Sequence, residues 1–257
     1  MIALRPELTA ILGVGLWHAL VVFLRVSALV SLLPVFGEQA VPVRVRLVVA
    51  VMLTAVAAPA VAPAPPPAGL PDLTGYVLSE AVIGLALGVG LRLFVLALQT
   101  AGAIAAQSTS LSQLLGGAAV EPMPAMGYVL VVAGLALAAM AGLHVRAAQF
   151  LVFSYDLLPA GTLPDGRDLA LWGVERVAHA FSLAFSLAAP FVIASVIYNL
   201  TLGVINRAMP QLMVAFVGAP VITLGGLFLL FAAAPLMLSV WAGGLAAFMA
   251  NPVRPIP

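Results

Sequence analysis

The sequence predicts an all-α membrane protein built from about six long, bent apolar helices. Of its 257 residues, 64% are hydrophobic and only 7% are charged, whereas soluble domains carry roughly 25% charged residues. Long apolar runs alternate with short connectors marked by proline and glycine. Because backbone inside a bilayer must satisfy its own hydrogen bonds, such unbroken runs favour helices over the short alternating segments of a β-barrel.

The first three helices are separated by proline-rich connectors. The first apolar run ends at Pro34, and a polar connector, Glu38–Arg46, follows it. The second is followed by Pro59–Pro71, where six prolines fall within thirteen residues; this stretch is expected to be extended and not helical. The third would measure about 46 Å, longer than a ~30 Å hydrocarbon core, so it should tilt, kink or protrude.

The last three helices are bounded by polar turns and interrupted by further prolines. The fifth should bend at Pro190, and the last should bend or break at its prolines and glycine pair. Between them, Asn199–Pro220 is a polar island that predicts a helical hairpin with its tip at Asn206–Gln211. The six predicted helices are Leu8–Leu33, Leu47–Val61, Tyr76–Ala106, Ala125–Tyr155, Leu169–Ile205 and Leu212–Ala250.

Two arginines inside apolar helices require an explanation, since an arginine at a bilayer centre costs roughly 2.5–3.5 kcal/mol. Arg25 is close enough to the end of its helix to reach an interface. Arg92 lies near mid-helix, and Glu80 is about 18 Å away along the same helix. Arg92 is therefore expected to face another helix, another subunit or water, in an ion pair or lining a pore. Glu80 near a helix start suits the helix dipole.

The sequence does not determine the orientation in the membrane or which helices pack together. Arginines fall on both sides of any alternating arrangement, so the positive-inside rule does not choose an orientation. Gly84 and Gly88 form a GxxxG pattern that lets helices approach closely, within the chain or with partners.

Several functional classes are disfavoured. The net charge of +1 gives no reason to expect nucleic acid, and the chain has no cysteine. His18, His144 and His179 lie in three different helices, and no HExxH, GxSxG or phosphate-binding glycine motif is present. No cleaved signal peptide is expected. The sequence therefore predicts neither a cofactor or metal site nor an enzyme.

Several stretches resemble the flagellar biosynthetic protein FliR family. The first is FLRVSALVSLLPVFGEQAVPVRVRLVVAVMLTAVAAP (Phe23–Pro59), and the resemblance continues through Glu80–Leu93, Ala97–Gln107 and the Gly142–His144 pair. It ends with NLTLGVINRAMPQLMVAFVGAP, where Met213 replaces a common asparagine and Phe216 is displaced by one position. The loop Gln107–Pro124 also departs from the family pattern, with Glu121–Pro122 in place of Asp-Pro.

The resemblance implies a structural and gating subunit of the flagellar type III export gate. It implies a pore formed with FliP and FliQ homologues, beside FlhB and FlhA homologues, through which unfolded export substrates pass. It also implies a multi-pass protein of the bacterial inner membrane, at the flagellar basal body. Residues 1–168 would be FliP-like, and 169–257 would form a FliQ-like helical hairpin.

The resemblance also assigns candidate sites. The pore plug would comprise Gln107, Ser108, Ser110, Ser112, Gln113, Gly116, Gly117, Glu121 and Met123. The hairpin tip and assembly residues would be Asn199, Gly203, Arg207, Pro210, Gln211, Gly218 and Pro220. Candidate intramembrane or interface charges are Arg25, Arg44, Arg46, Glu80 and Arg92.

Three alternatives stay open. The plug segment could be an ordinary exposed loop. The whole chain could be the homologous subunit of a virulence injectisome. A self-sufficient small-molecule transporter would require a repeat-related midplane site, and no convincing repeat is present.

Overall fold

The computed structural model describes residues 6–109, 125–209 and 214–254, with side chains described for 13–108, 125–209 and 221–254. Every regular element in these ranges is helical. The seven α-helices are α1 (Pro6–Val30), α2 (Val43–Ala57), α3 (Leu70–Thr109), α4 (Ala125–Met140), α5 (Leu143–Leu157), α6 (Gly166–Ala208) and α7 (Val214–Ala250), and a 3₁₀ turn at Ala58–Ala60 follows α2.

The predicted fold class is confirmed. Among the described residues, five helices are long and apolar enough to cross a membrane, and six spans result if α4 and α5 form one broken span. The chain is therefore a multi-span helical membrane protein.

Helix boundaries around the prolines differ from the prediction. α2 begins at Val43, so Arg44 and Arg46 lie in its first turn and not in a connector. Pro42 precedes this helix with φ −58°, a conformation that suits a helix start. Pro59 lies in the 3₁₀ turn and Pro71 in the first turn of α3. The extended segment is consequently shorter than the proline run, because proline lacks a donor that a first turn does not use.

The predicted fourth helix is wrong as a single element. It breaks after Met140, and Gly142 adopts φ 77°, the left-handed conformation that glycine reaches without a Cβ penalty. α5 begins immediately after it. Gly142 belongs to the Gly142–His144 pair seen in the sequence. The structure places this glycine at the helix break and His144 inside α5.

The last helix is not broken at its prolines, since α7 continues through Pro220 and Pro235. α6 likewise continues through Pro190. The bends expected in these two helices stay predictions. A proline removes one backbone donor, and long apolar helices tolerate this where neighbouring groups satisfy the freed carbonyl.

The described chain forms two compact units. Unit 1 contains Met1–Arg92, Ala138–Arg176 and Ala246–Pro257. In unit 1, α1 packs on α2 and α2 packs on α5. The GxxxG pair of α3 faces α1: a Cβ at Gly84 would overlap the Arg25 carbonyl, and one at Gly88 would lie 3.0 Å from Leu32 Cβ. These glycines therefore serve packing within the chain.

Unit 2 contains Leu93–Leu137 and Val177–Leu245. Its core includes the fully buried Trp241 of α7, whose indole N–H donates to the Phe94 carbonyl at 2.8 Å. The Phe94 ring meets His179 of α6 edge-on, with centroids 6.2 Å apart. A Cβ at Gly102 would overlap Gly127, so α3 and α4 approach backbone to backbone.

Candidate functional site

The centre of unit 1 is a buried ion pair between two helices. Arg25 of α1 donates from Nε to Glu80 Oε2 at 2.8 Å and from Nη2 to Glu80 Oε1 at 3.2 Å. Both side chains are 0% exposed. This bidentate geometry is the strongest form of an arginine–carboxylate contact.

All five donor hydrogens of the guanidinium have an acceptor. Besides the two bonds to Glu80, Nη1 donates to the Ser154 carbonyl at 3.0 Å and to its hydroxyl at 3.2 Å, and Nη2 donates to the Leu158 carbonyl at 2.8 Å. The guanidinium carbon also lies 3.7 Å from the centre of the Tyr155 ring. An arginine has five N–H donors, so this one is saturated.

Each oxygen of the Glu80 carboxylate accepts one hydrogen bond from Arg25 and one from a second donor. Tyr155 Oη donates to Oε2 at 3.1 Å, and the Gly161 backbone N–H donates to Oε1 at 3.0 Å. The network therefore joins α1, α3 and α5 to the connector after α5. A satisfied buried network of this kind specifies one arrangement of the elements that supply it.

Two interpretations of these charges are corrected. Arg25 does not reach an interface, since it is buried and paired. Glu80 does not lie near a helix start, because α3 begins at Leu70 and Asp72 occupies its first turn. Comparing charges along one helix missed the pair between helices, and it missed Tyr155 and Ser154 altogether. The available signal was that Arg25 and Glu80 each lie in a stretch that resembles the family.

Arg92 takes a different partner. Its Nη1 donates to the Glu38 carboxylate, which lies on the connector between α1 and α2. Arg46 of α2 donates to the Glu38 backbone carbonyl at 2.8 Å. The Arg92 and Glu38 side chains remain 25% and 20% exposed, so this pair is accessible where Arg25–Glu80 is not. Arg44 is exposed.

Most of the candidate plug lies outside the described residues. Gln107 and Ser108 belong to the last turn of α3; Gln107 is exposed, and the Ser108 hydroxyl donates to the Ala105 carbonyl at 2.8 Å. The plug residues outside the described ranges are Ser110, Ser112, Gln113, Gly116, Gly117, Glu121 and Met123.

The candidate hairpin tip falls at the junction of two helices. α6 ends at Ala208 and α7 begins at Val214. Asn199, Gly203 and Arg207 lie exposed on the final turns of α6, where Asn199 Nδ2 donates to Ser195 Oγ at 3.2 Å. Gly218 and Pro220 are in the first turns of α7, with their side chains undescribed, and Pro210 and Gln211 lie outside the described residues.

The histidines have separate surroundings. His18 accepts from the Ala64 N–H at Nδ1 (3.3 Å) and contacts the Ala58 carbonyl through Nε2 (2.8 Å), so Nε2 carries the proton. His18 thus links the 3₁₀ turn at Ala58–Ala60 to the first part of the extended proline segment. In the ranges described, no group of three or more His, Cys, Asp or Glu side chains has metal-binding geometry.

Comparison with known proteins gives a consistent result. The bacterial export proteins, family 1, match residues 16–248. A flagellar biosynthetic protein FliR of Caulobacter vibrioides is 36% identical over 227 residues, covering 87% of this chain and 90% of the relative. FliR of Escherichia coli is 31% identical, with 83% of each chain covered. FliR of Bacillus subtilis is 26% identical, covering 78% of this chain and 80% of the relative.

The match spans both units and includes the stretches that hold Arg25, Glu80 and Arg207. The family predicted from the sequence motifs is therefore confirmed: the chain belongs to the bacterial export proteins, family 1, as a member of the FliR family of flagellar biosynthetic proteins.

Proposed function

We propose that this chain is the structural and gating subunit of the flagellar type III export gate. Family membership makes it a multi-pass membrane component of the flagellar export apparatus. The finer proposal is that it assembles with FliP- and FliQ-like chains, beside FlhB- and FlhA-like chains, into a pore for unfolded flagellar proteins. The observation that carries the proposal is the family match along residues 16–248. This family is a structural export component, and we propose no enzymatic step.

The surface of the long helices suits a subunit that is surrounded by lipid and other helices. α6 and α7 present large apolar side chains outward, among them Phe185, Phe228 and Phe231. The division into a FliP-like portion (1–168) and a FliQ-like hairpin (169–257) is part of the proposal. In its favour, α6 and α7 are two long helices separated by the short segment 209–213.

We place the gate's plug in Gln107–Met123. This segment is uncharged apart from Glu121 and rich in serine, glutamine and glycine, a composition suited to lining or blocking a channel. Deleting Gln107–Met123 is expected to leave assembly intact and to make the membrane leak ions. Unchanged ion leakage in the assembled deletion variant would assign the segment to an ordinary loop.

The hairpin tip is proposed as an assembly contact. Arg207→Glu reverses the charge of an exposed residue at the end of α6, so it is expected to block assembly or export without altering helix packing. Swimming in soft agar and secreted flagellin report export. Arg167→Glu is a control, since Arg167 is also exposed on α6 but lies at its opposite end and in none of the candidate sites. Wild-type motility of Arg207→Glu would remove the tip from the functional surface.

The decisive experiment is purification of the tagged full-length chain in mild detergent from inner membranes, with identification of the co-purifying proteins. A stable complex containing FliP- and FliQ-like chains supports the export gate. A homo-oligomer without them refutes it and favours a self-sufficient transporter, which liposome uptake would reveal. Co-purification with injectisome components in place of flagellar ones would move the assignment to that homologous system.

A further inference from the structure

The connector between α1 and α2 contains a strained turn. Val35 has φ 73°, and Phe36 donates its backbone N–H to the Pro34 carbonyl at 2.9 Å. This is the three-residue γ-turn with a positive central φ, which is rare and strained. For a β-branched residue the left-handed region is a genuine outlier. Among the described residues, Val35 is the sole non-glycine with positive φ.

Close packing and two arginines hold this turn. The Gly37 N–H donates to the Leu33 carbonyl at 2.6 Å, and a Cβ at Gly37 would lie 2.7 Å from the Ser31 carbonyl oxygen. One residue further, Arg92 binds the Glu38 carboxylate and Arg46 binds the Glu38 carbonyl. Strained backbone persists only where its surroundings over-determine it. Here one of the contacts that hold the turn in place is the ion pair between Arg92 and Glu38.

We propose that residues 34–38 form a latch with two states, closed while Glu38 binds Arg92 and open when that pair separates. In the open state Val35 returns to an ordinary φ, and Glu38 moves away from α3. The strain at Val35 favours opening, and the ion pair favours closure. The strain therefore lowers the free energy of opening below that of an unstrained connector.

Two features allow the latch to open without unfolding unit 1. The Arg92–Glu38 pair is partly exposed, so separation replaces its contacts with solvent, whereas the Arg25–Glu80 pair is fully buried. In addition, α2 buries only Ala50, Thr54 and Ala57, all beyond its first turn. The start of α2 can consequently follow the connector while its later turns stay packed.

This inference concerns unit 1 alone and stands whether or not the export-gate proposal is correct. The natural chain contains no cysteine, so two introduced cysteines give unique spin labels. Gln39→Cys places a label on the connector, and Val77→Cys places one on an exposed position of α3, about 23 Å along the helix from Arg92. Double electron–electron resonance on the full-length chain, purified with its associated proteins, measures their separation.

Glu38→Ala is expected to add a second distance to the single wild-type distance, and Arg92→Gln should add the same one. Introducing Val35→Gly into Glu38→Ala should reduce the open-to-closed ratio about tenfold, since glycine accepts positive φ and removes the strain. Val41→Gly is the matched control: it adds a glycine to the same connector at a position without positive φ.

Three results would overturn the latch. One is an unchanged single distance in both Glu38→Ala and Arg92→Gln. Another is a second distance in Glu38→Ala that differs from the second distance in Arg92→Gln, since removing either partner of the ion pair should produce the same open state. The third is an equal reduction of the open-to-closed ratio by Val41→Gly and Val35→Gly, which would show that the effect does not come from strain at Val35. If Glu38→Ala does not accumulate, Arg92→Gln alone carries the same comparison.

Discussion

Replacing Glu80 with leucine is expected to destabilise unit 1 severely. The substitution introduces an apolar side chain of similar volume and leaves the Arg25 guanidinium buried without its counter-charge. It also removes the acceptor for Tyr155 Oη and for the Gly161 N–H. The consequence should be loss of the packed chain from the membrane, and not a local change in one helix.

The magnitude follows from the contacts. Breaking a buried pair from one side costs about 3–5 kcal/mol, and each buried donor left without an acceptor adds about 1–3 kcal/mol. In the double variant Arg25→Met with Glu80→Leu, the uncompensated charge is gone, the two unpaired donors remain, and the Leu158 carbonyl loses its Arg25 donor. Removing the charge recovers about 3–5 kcal/mol, and the unpaired carbonyl costs about 1–3 kcal/mol of that, so the double variant should be more stable than Glu80→Leu alone by about 2 kcal/mol. A rescue of this size is the signature of the network.

The assay is the thermal stability of the tagged full-length chain in mild detergent, followed by fluorescence-detected size-exclusion chromatography. Accumulation in membranes, measured by immunoblot, gives a second reading if the single variant does not survive extraction. Arg92→Gln is the control, because it breaks a partly exposed pair worth about 1 kcal/mol or less.

Two results would refute this reasoning. If Glu80→Leu were no less stable than Arg92→Gln, the buried network would not hold unit 1 together. If the double variant were as unstable as the single one, the loss would come from the two unpaired donors and not from the buried charge.

Three further substitutions test other contacts of unit 1, the first two by the same stability measurement and the third by limited proteolysis. Gly84→Ala should destabilise by about 1–3 kcal/mol because its Cβ would overlap the α1 backbone, whereas Gly173→Ala, which meets nothing within 4 Å, should stabilise α6 by about 0.5–1 kcal/mol; equal effects would contradict the close approach. Gly142→Ala should cost about 1–2 kcal/mol through its positive φ alone, since its Cβ has free space; no loss would show that the helix break does not need glycine. His18→Ala should expose the segment after α2 to limited proteolysis, because it removes the acceptor of the Ala64 N–H and leaves the Ala58 carbonyl with the Val61 N–H alone; the exposed His144→Ala is the control, and equal cleavage of both variants would contradict the role of His18.

The long helices could be predicted from the sequence because their signal is local. Hydropathy over successive windows locates each apolar run, and proline and glycine mark where it ends. The predicted helix boundaries were wrong where a proline is compatible with both a loop and a helix. The sequence places Pro71 in a loop, but it occupies the first turn of α3. Pro220 and Pro235 predict a bend or a break, and the structure excludes the break because α7 is one helix. The local sequence permits either a helix or a loop at such a proline, and the packing of the neighbouring helices determines which one forms.

The ion pairs could not be predicted in this way. Arg25 and Glu80 are 55 residues apart, and Arg92 and Glu38 are 54 apart, so no helical periodicity links them. Only the relative rotation of α1 and α3 brings the first pair together. That rotation depends on Gly84 and Gly88, whose GxxxG signal indicated close packing without naming the partner helix.

Several polar side chains of unit 1 share one task, which is to bind the backbone of connectors. Arg25 and Glu80 bind the backbone of the connector after α5, His18 binds that of the proline segment, and Arg46 binds the connector before α2. Trp172 and Arg176 bind the Pro252 and Arg254 carbonyls after α7 in the same way. Helices satisfy their own backbone groups, but connectors in apolar surroundings do not. Polar side chains therefore lie where the backbone is irregular, and substituting the partly exposed ones, His18 or Arg46, should alter the connectors while leaving helical content, measured by circular dichroism, nearly unchanged.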